Sequence, residues 1–246
     1  MNTRLANWSA PANISALSTT RMSGFSLPPY HENNLGLHVG DKVEHVLKNR
    51  QQINELLNLP GEPVWLEQTH STICIIPEQD SNRNADAAIT RSPLHPLVIL
   101  TADCLPITLC SIHGDEIAAI HAGWKGLFHG ILENTLAKMN TQASDVLAWI
   151  GPAICQNCYE VGEEVHQSFT EKYAFSHAAF RPSGSKWLAN LAQIAELILN
   201  MNGIRAVSQS NLCTYESKNE FYSYRRESQT GRIGTFIWFN DQPRDE

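Results

Sequence analysis

Three short apolar runs between positions 97 and 120 constrain this chain more than any other stretch. Residues 97–100 (LVIL) have the length and composition of a buried strand, and residues 107–111 and 116–120 flank a turn at His113-Gly114-Asp115. That pattern predicts a strand followed by a hairpin. Cys104 then falls where the first strand ends and His121 where the hairpin's second arm ends, just before Gly123 and a helix expected over 126–139. Both are soft-to-borderline ligands at strand termini. A third ligand from elsewhere would complete an open-sided tetrahedral site of the catalytic zinc type, with water in the fourth position.

A candidate third ligand is His70, at the exit of a strand expected over 64–67. His70, Cys104 and His121 are 34 and 17 residues apart, so no local motif joins them and only the fold could. By spacing alone the plainer reading carries more weight, with a strand-end cysteine as a small buried hydrophobe and a nearby histidine bonding a carbonyl.

Composition limits the alternatives. The 246 residues are 42% hydrophobic and carry no Gly/Ser-rich linker, charge run or repeat, so a single domain over 1–246 with a substantial core is expected. A net charge of -7 argues against a nucleic-acid or anionic-membrane surface. The first residues lack the apolar core of a signal peptide and no run of about 18 apolar residues occurs, so a soluble cytoplasmic protein is expected. The six cysteines, at 74, 104, 110, 155, 158 and 213, form no small-scaffold framework and are expected to be reduced thiols.

Along the chain, residues 14–20 read as a strand feeding a Gly- and Pro-containing loop. Arg21 at its exit offers a guanidinium fork suited to oxyanions. Asp41 is a plausible N-cap for a helix with Val43, Val46, Leu47, Ile53, Leu56 and Leu57 at helical period, Arg50 on its apolar face and Pro60 closing it. His31, His38 and His45 recur every seven residues, but the first two lie in turns, so all three read as solvated; His113 and His129 read as surface residues. Residues 72–76 are β-rich, and Asp86 follows a polar loop, reading equally well as a turn carboxylate. Asp103 should face away from Cys104 on a strand and suits either orienting an imidazole or capping a loop. Cys155 and Cys158 have C-x-x-C spacing, but a structural zinc site would want a second such pair, so they read as packing. A second amphipathic helix is expected over 187–201, with a strand at 206–208. In FYSYRRESQTGR, Tyr222, Tyr224, Arg225 and Arg226 set aromatic faces beside cations, a pairing able to stack on a purine and hold phosphate; by itself the segment reads as an ordinary strand edge.

The strings QTH, TADCLP, HAGWKG, IGPAICQNCYEVG and FYSYRRESQTGR, in this order from about Ser18 to Trp238, together resemble the bacterial multicopper-laccase-like, purine nucleoside phosphorylase family. The resemblance implies that His70, Cys104 and His121 bind zinc and are needed for activity, and that Asp86 matches the family's ADA motif. It also implies a four-layer α/β/β/α sandwich, consistent with the α+β (mixed α/β) class that the interleaved strands and helices suggest. The implied reaction is phosphorolysis of adenosine, inosine or guanosine to base and ribose 1-phosphate, with adenosine deamination as a possible second reaction. The partners are then a purine nucleoside and phosphate, with Arg21, Lys125, Tyr224, Arg225 and Arg226 as substrate ligands. Lys125 and Cys155 depart from the family's usual Arg and Gly.

Two other functions remain open. Cys104 with His121 as its base could serve a cysteine hydrolase or amidase that edits peptidoglycan precursors. A copper-dependent phenol oxidase is the other, and imidazole and thiolate can bind copper in vitro more tightly than zinc. No two of the ten histidines, however, are separated by one residue, as multicopper centres prefer.

Overall fold

The computed structural model describes residues 2–240, so Met1 and 241–246 of the expected single domain lie outside the described residues. Strands β1 (Thr3–Leu5) and β2 (Ile14–Thr19) precede helix α1 (Val43–Leu57), followed by β3 (Cys74–Ile75), β4 (Ala87–Thr90), β5 (Leu97–Thr101), β6 (Leu105–Ser111) and β7 (Ile117–Ala122). After these come α2 (Trp124–His129), α3 (Ile131–Leu136), β8 (Val146–Ile150), β9 (Glu160–Val161), α4 (Glu163–Lys172), β10 (Phe180–Ser183), β11 (Lys186–Ala189), α5 (Leu191–Met201), β12 (Ala206–Gln209) and β13 (Ile233–Phe239). An antiparallel sheet runs β1-β2-β13-β5, a mixed one β12-β8-β6-β7-β4-β3, and a small antiparallel one β10-β11-β9. In the mixed sheet β12/β8 and β3/β4 are the parallel pairs.

The period-2 alternation of side chains separates the layers. In β5 and β13, Leu97, Ile99, Ile237 and Phe239 face Ala88, Cys110, Ile117 and Ala119 of the six-stranded sheet. Their neighbours Val98, Leu100, Phe236 and Trp238 point the other way, onto Ile53 and Leu57 of α1 and onto Trp65. On the far face of the six-stranded sheet, Ile89, Ile107, Leu109 and Ile120 meet Leu127, Ile131, Phe169, Ile194 and Ile198 from α2 to α5. The order is therefore α/β/β/α, as the family resemblance implies. Each fully buried Leu, Ile or Phe contributes about 1.5–3 kcal/mol, which is why strands such as β5 and β6, buried along their whole length, are mostly apolar.

The hairpin β6/β7 and the strand β5 lie where the apolar runs indicate, with Gly114 at a φ of 68° in the turn. Other elements differ. The helix expected over 126–139 is two helices, because Gly130 takes a φ of 102° and ends the first while opening the second. Trp187 and Leu188 lie in β11, and α5 starts only after Asn190, whose side chain accepts from Gln193 N. Residues 64–67 form no strand beyond one bridge from Val64 to Leu97. Residues 221–232 are turns, not a strand edge, and β13 starts just after them. Lys42, not Asp41, precedes α1, and the Asp41 carboxylate accepts instead from Asn34 Nδ2 and Lys42 N. Arg50 occupies the apolar face of α1 by stacking 3.6 Å over Trp65 and donating Nε and Nη2 to Leu35 O.

Asn49, fully buried on α1, ties the long loop after β2 to the helix. Its Nδ2 donates to Ser26 Oγ, Glu32 O and Asn34 O, while its Oδ1 accepts from Phe25 N. Asn49→Ala removes these bonds and leaves Phe25 N and Asn34 O without this partner, and we expect a loss of about 2–3 kcal/mol, read as a lower urea midpoint with an unchanged slope.

Candidate metal centre and its cavity

Three elements deliver three donors to one end of the sandwich. His121 sits near the end of β7, on the same face as Ile117 and Ala119, between the two sheets. The register pairs Ala87 with Ile120, which sets Asp86 beside His121. His121 N donates to Asp86 O at 2.7 Å, and the imidazole Nδ1 lies 2.7 Å from Asp86 Oδ1. With Nδ1 so engaged, Nε2 is the nitrogen left to coordinate.

The same carboxylate shapes the loop that carries His70. Asp86 accepts from three successive backbone amides, Thr69 N at 3.2 Å, His70 N at 3.0 Å and Ser71 N at 2.6 Å, and from Ser71 Oγ at 2.7 Å. His70 takes a φ of 61° within this turn, a left-handed conformation that costs a non-glycine residue energy and persists where surrounding bonds impose it. Its Nε2 then lies 3.7 Å from Cys104 Sγ, and its ring sits edge-on to His121 at 4.7 Å between centroids. Gln68, just upstream, pairs with the Leu100 backbone in both directions, as a strand would, and fixes the entry to this turn.

Cys104 lies in the three-residue connection between β5 and β6, after Asp103 at a φ of 94°. Asp103 orients no imidazole. Its carboxylate accepts from Thr214 Oγ1 and Arg225 N, both at 2.7 Å, and its carbonyl accepts from Ile154 N, so it binds three loops together; the orienting carboxylate is Asp86. One ligand atom each from His70, Cys104 and His121 lies within 4.8 Å of the others. Gly123 floors the group, because a Cβ there would stand 2.5 Å from His70 Cδ2 and 3.1 Å from Cys104 Sγ. The donors open into a cavity of about 550 Å³ lined also by His38, Trp124, Tyr159, Tyr224, Arg225 and Arg232.

Of the expected substrate ligands, Tyr224 and Arg225 line this cavity, and Arg225 lies over Tyr159 at 5.1 Å. Arg21 and Arg226 face a different cleft. Arg21 donates to the carbonyls of His31 and Lys218, and Arg226 to those of Thr214, Tyr215 and Phe221, so backbone bracing occupies both. Lys125 is exposed on α2, its Nζ 5.8 Å from the Trp124 ring centre. His31, His38, His113 and His129 are exposed, His38 also lining the cavity, whereas His45 is largely covered beside Asp41. Arg232, which ends FYSYRRESQTGR, and Gln68, which begins QTH, are cavity residues whose place in those strings was the available signal. The C-x-x-C pair is not isolated: Cys213 and Glu216 bring donors to within 4.8 Å of Cys155 and Cys158.

Burial would raise the Cys104 thiol, but hydrogen bonds from His121 and His70 overcome it and hold the group down at about 6. Burial likewise opposes charge on His121, and the bonds to Asp86 and Cys104 push it up to about 9. Asp86 stays below the usual carboxylate range because, against the cost of burial, the bonds from His121 and Ser71 favour its ionised form. Between these two values the metal-free pair is thiolate and imidazolium. By contrast, burial raises Cys74 to about 11 and Cys110 to about 12. In metal-free protein, iodoacetamide at neutral pH should label Cys104 well ahead of those two, its rate rising through about pH 6 and levelling above. Peptide mass spectrometry across pH checks this; a midpoint at the ordinary thiol value of about 8.5 would contradict the pairing.

The chain resembles known proteins over nearly its whole length. Residues 15–240 match the family model described as multi-copper polyphenol oxidoreductase laccase. The purine nucleoside phosphorylase YfiH of Escherichia coli (strain K12) is 42% identical over 233 residues, 94% of this chain and 96% of that protein. A purine nucleoside phosphorylase of Haemophilus influenzae is 44% identical over 237 residues, 95% of this chain and 97% of that protein. Among solved structures, Neisseria meningitidis protein NMB0706 superposes with a TM-score of 0.93 at 37% identity, covering 98% of this chain and 100% of the other. YlmD of Geobacillus stearothermophilus superposes at 0.87 with 29% identity, covering 94% and 93%. By the extent of the family match and the identity to these relatives, the chain belongs to the multi-copper polyphenol oxidoreductase laccase family.

Proposed function

We propose that this protein is a zinc-dependent purine nucleoside phosphorylase, with His70, Cys104 and His121 as metal ligands. The observation that carries the proposal is their convergence, three donors within 4.8 Å at the base of a cavity bearing aromatic rings and two arginines. The activity named for the relatives at 42% and 44% identity points the same way. The donor set fits zinc: one thiolate and two imidazoles leave an open fourth position, and Asp86 on His121 is the carboxylate–histidine support such ligands commonly have. When bound, zinc supplies Lewis acidity at that open position, which would also serve adenosine deamination.

The chain's own residues do the rest. Arg225 and Arg232 each give Nη1 to backbone carbonyls, of Glu160 and of Thr230 and Gly231 respectively, and line the cavity with the donors that remain for phosphate, while the faces of Trp124, Tyr159 and Tyr224 receive the purine. A phosphate oxygen forms the new bond to the sugar's anomeric carbon as the carbon–nitrogen bond breaks, and the bonding pair leaves with the base. Burial holds the Tyr159 phenol up and protonated, with a hydrogen to donate. His38 is held below its ordinary value, first by burial and then by Arg232, Arg50 and His121, so it is neutral at neutral pH and offers one donor and one acceptor.

A second reading rests on a specific geometry, the Cys104–His121–Asp86 chain of a thiol hydrolase acting on peptidoglycan precursors. Chelation followed by zinc add-back separates the two: a zinc enzyme loses and regains activity, whereas a thiol hydrolase ignores the chelator. With adenosine, adenine plus ribose 1-phosphate formed only with phosphate supports phosphorolysis; inosine formed without phosphate supports deamination.

His70→Ala, Cys104→Ala and His121→Ala should each abolish turnover and lose one equivalent of zinc with far-UV dichroism retained, because the core is independent of the centre. A variant that keeps all its zinc removes that residue from the ligand set. Arg232→Ala should raise the KM for phosphate by about tenfold or more, equivalent to roughly 1.4 kcal/mol; an unchanged value would take Arg232 out of the phosphate site.

A further inference from the structure

The four donors Cys155, Cys158, Cys213 and Glu216 share no residue with the centre described above. Their assembly follows from topology. Strands β8 and β12 are parallel neighbours, pairing Trp149 with Ser208 and Ile150 with Gln209, so both leave the six-stranded sheet at the same end. The segment leaving β8 enters one turn of 3-10 helix, Gln156–Cys158, with Cys155 immediately before it and Cys158 N donating to Cys155 O at 3.1 Å. This turn folds the C-x-x-C pair back on itself. The segment leaving β12 runs beside the first through a parallel bridge between Ala153 and Cys213, with Ala153 N donating to Leu212 O and Thr214 N to Ala153 O. Ser217 N then closes a turn onto Cys213 O, and that turn carries Glu216.

The side chains meet as ligands would. Cys155 N donates to Cys213 Sγ at 3.3 Å, and Cys158 Sγ lies 3.6 Å from Glu216 Oε1. All three thiols are free. Around a tetrahedral zinc with bonds of about 2.3 Å, sulfurs stand roughly 3.8 Å apart, so donors already within 4.8 Å of one another need to close by only about 1 Å. We propose that Cys155, Cys158, Cys213 and Glu216 form a second, closed metal site that takes zinc and staples together the two loops walling the cavity.

Three thiolates with one carboxylate suit a soft-to-borderline divalent ion and disfavour magnesium or calcium, which prefer oxygen ligands. Four protein ligands leave no open position, so the site is structural. On binding, three thiol protons pass to solvent, and three thiolates, one carboxylate and a dication leave a net charge of two minus. The loop from β8 leads on to Tyr159, and Glu160 O accepts from Arg225 Nη1; the loop from β12 leads to Tyr224 and Arg225. Asp103 bonds to Ile154 N, Thr214 Oγ1 and Arg225 N, so the staple lies one residue from Asp103's partners in each loop.

Cobalt reconstitution of the full-length chain tests the site apart from the first centre. Cys104→Ala removes that centre's only thiolate, so its cobalt form should still show sulfur-to-cobalt charge-transfer absorption and the intense visible bands of tetrahedral cobalt. Adding Cys158→Ser should weaken the charge-transfer band. Glu216→Gln, at an exposed position, should keep the fold by far-UV dichroism while zinc affinity in the Cys104→Ala background falls on the order of tenfold or more. A cobalt spectrum without charge-transfer bands in Cys104→Ala overturns the site, as does a native mass two hydrogens light, which would show two of the thiols joined. A Glu216→Gln affinity equal to its parent overturns the four-ligand set. None of these outcomes depends on turnover, so failure of the phosphorylase reading is separately visible.

Discussion

The carboxylate of Asp86 is the constraint on which the candidate centre depends. It is fully buried, a position that is costly for a charge unless donors surround it. Here the imidazole of His121, three successive amides and a serine hydroxyl converge on its two oxygens. Because those amides belong to residues 69–71, the same bonds that stabilise the ion turn the backbone and aim His70. Two of the three metal-ligand candidates are therefore oriented by one side chain. Its own place is set by strand register, since it immediately precedes Ala87, which pairs with Ile120.

A second carboxylate, Asp103, organises the surroundings. Held at positive φ, it turns the chain sharply between β5 and β6, and its side chain and carbonyl gather segments near residues 154, 214 and 225. Those segments come from distant parts of the sequence, and the first two also run side by side through the bridge between Ala153 and Cys213. Polar bonds to one buried group, more than apolar contact, hold them against the cavity. This is consistent with the small apolar cluster there, Ala102, Phe221, Tyr222 and Ile233, with Leu212 beside it.

Much of the layered core was legible in the sequence because β5, β6 and β7 are apolar runs bounded by turn residues, and their length distinguishes them from helices. The three donors His70, Cys104 and His121 were also legible, though the family strings carried that reading where their spacing did not. What escaped was set by distant bonds. Gly130 breaks a helix whose periodicity runs on through it, and residues 186–189 pair in a hairpin with 180–183 and on their other side with a strand some 25 residues upstream. The roles of Asp86 and Asp103 could not be separated from sequence, since each is an acid beside a strand and only register and loop packing tell them apart. Arg21 and Arg226 suited phosphate by chemistry, yet backbone carbonyls with no sequence signature claim them. Cys213 likewise lies 55 residues beyond Cys158, and a parallel strand pair joins them.

The connection at 102–104 has a mechanical meaning. β5 belongs to the four-stranded sheet and β6 to the six-stranded one, so Cys104 rides on the short tether that passes between the two layers. His121 is fixed to the six-stranded layer, whereas His70 is held from both, by Asp86 at its own turn and by an upstream segment that is bridged at Val64 to β5 and anchored by Gln68 to Leu100. The triangle of donors thus spans both layers, and any sliding of one sheet over the other changes its edges. An ion seated there would act as a rivet against shear, and the layers in turn would hold the triangle's dimensions to those of an ion it can accept.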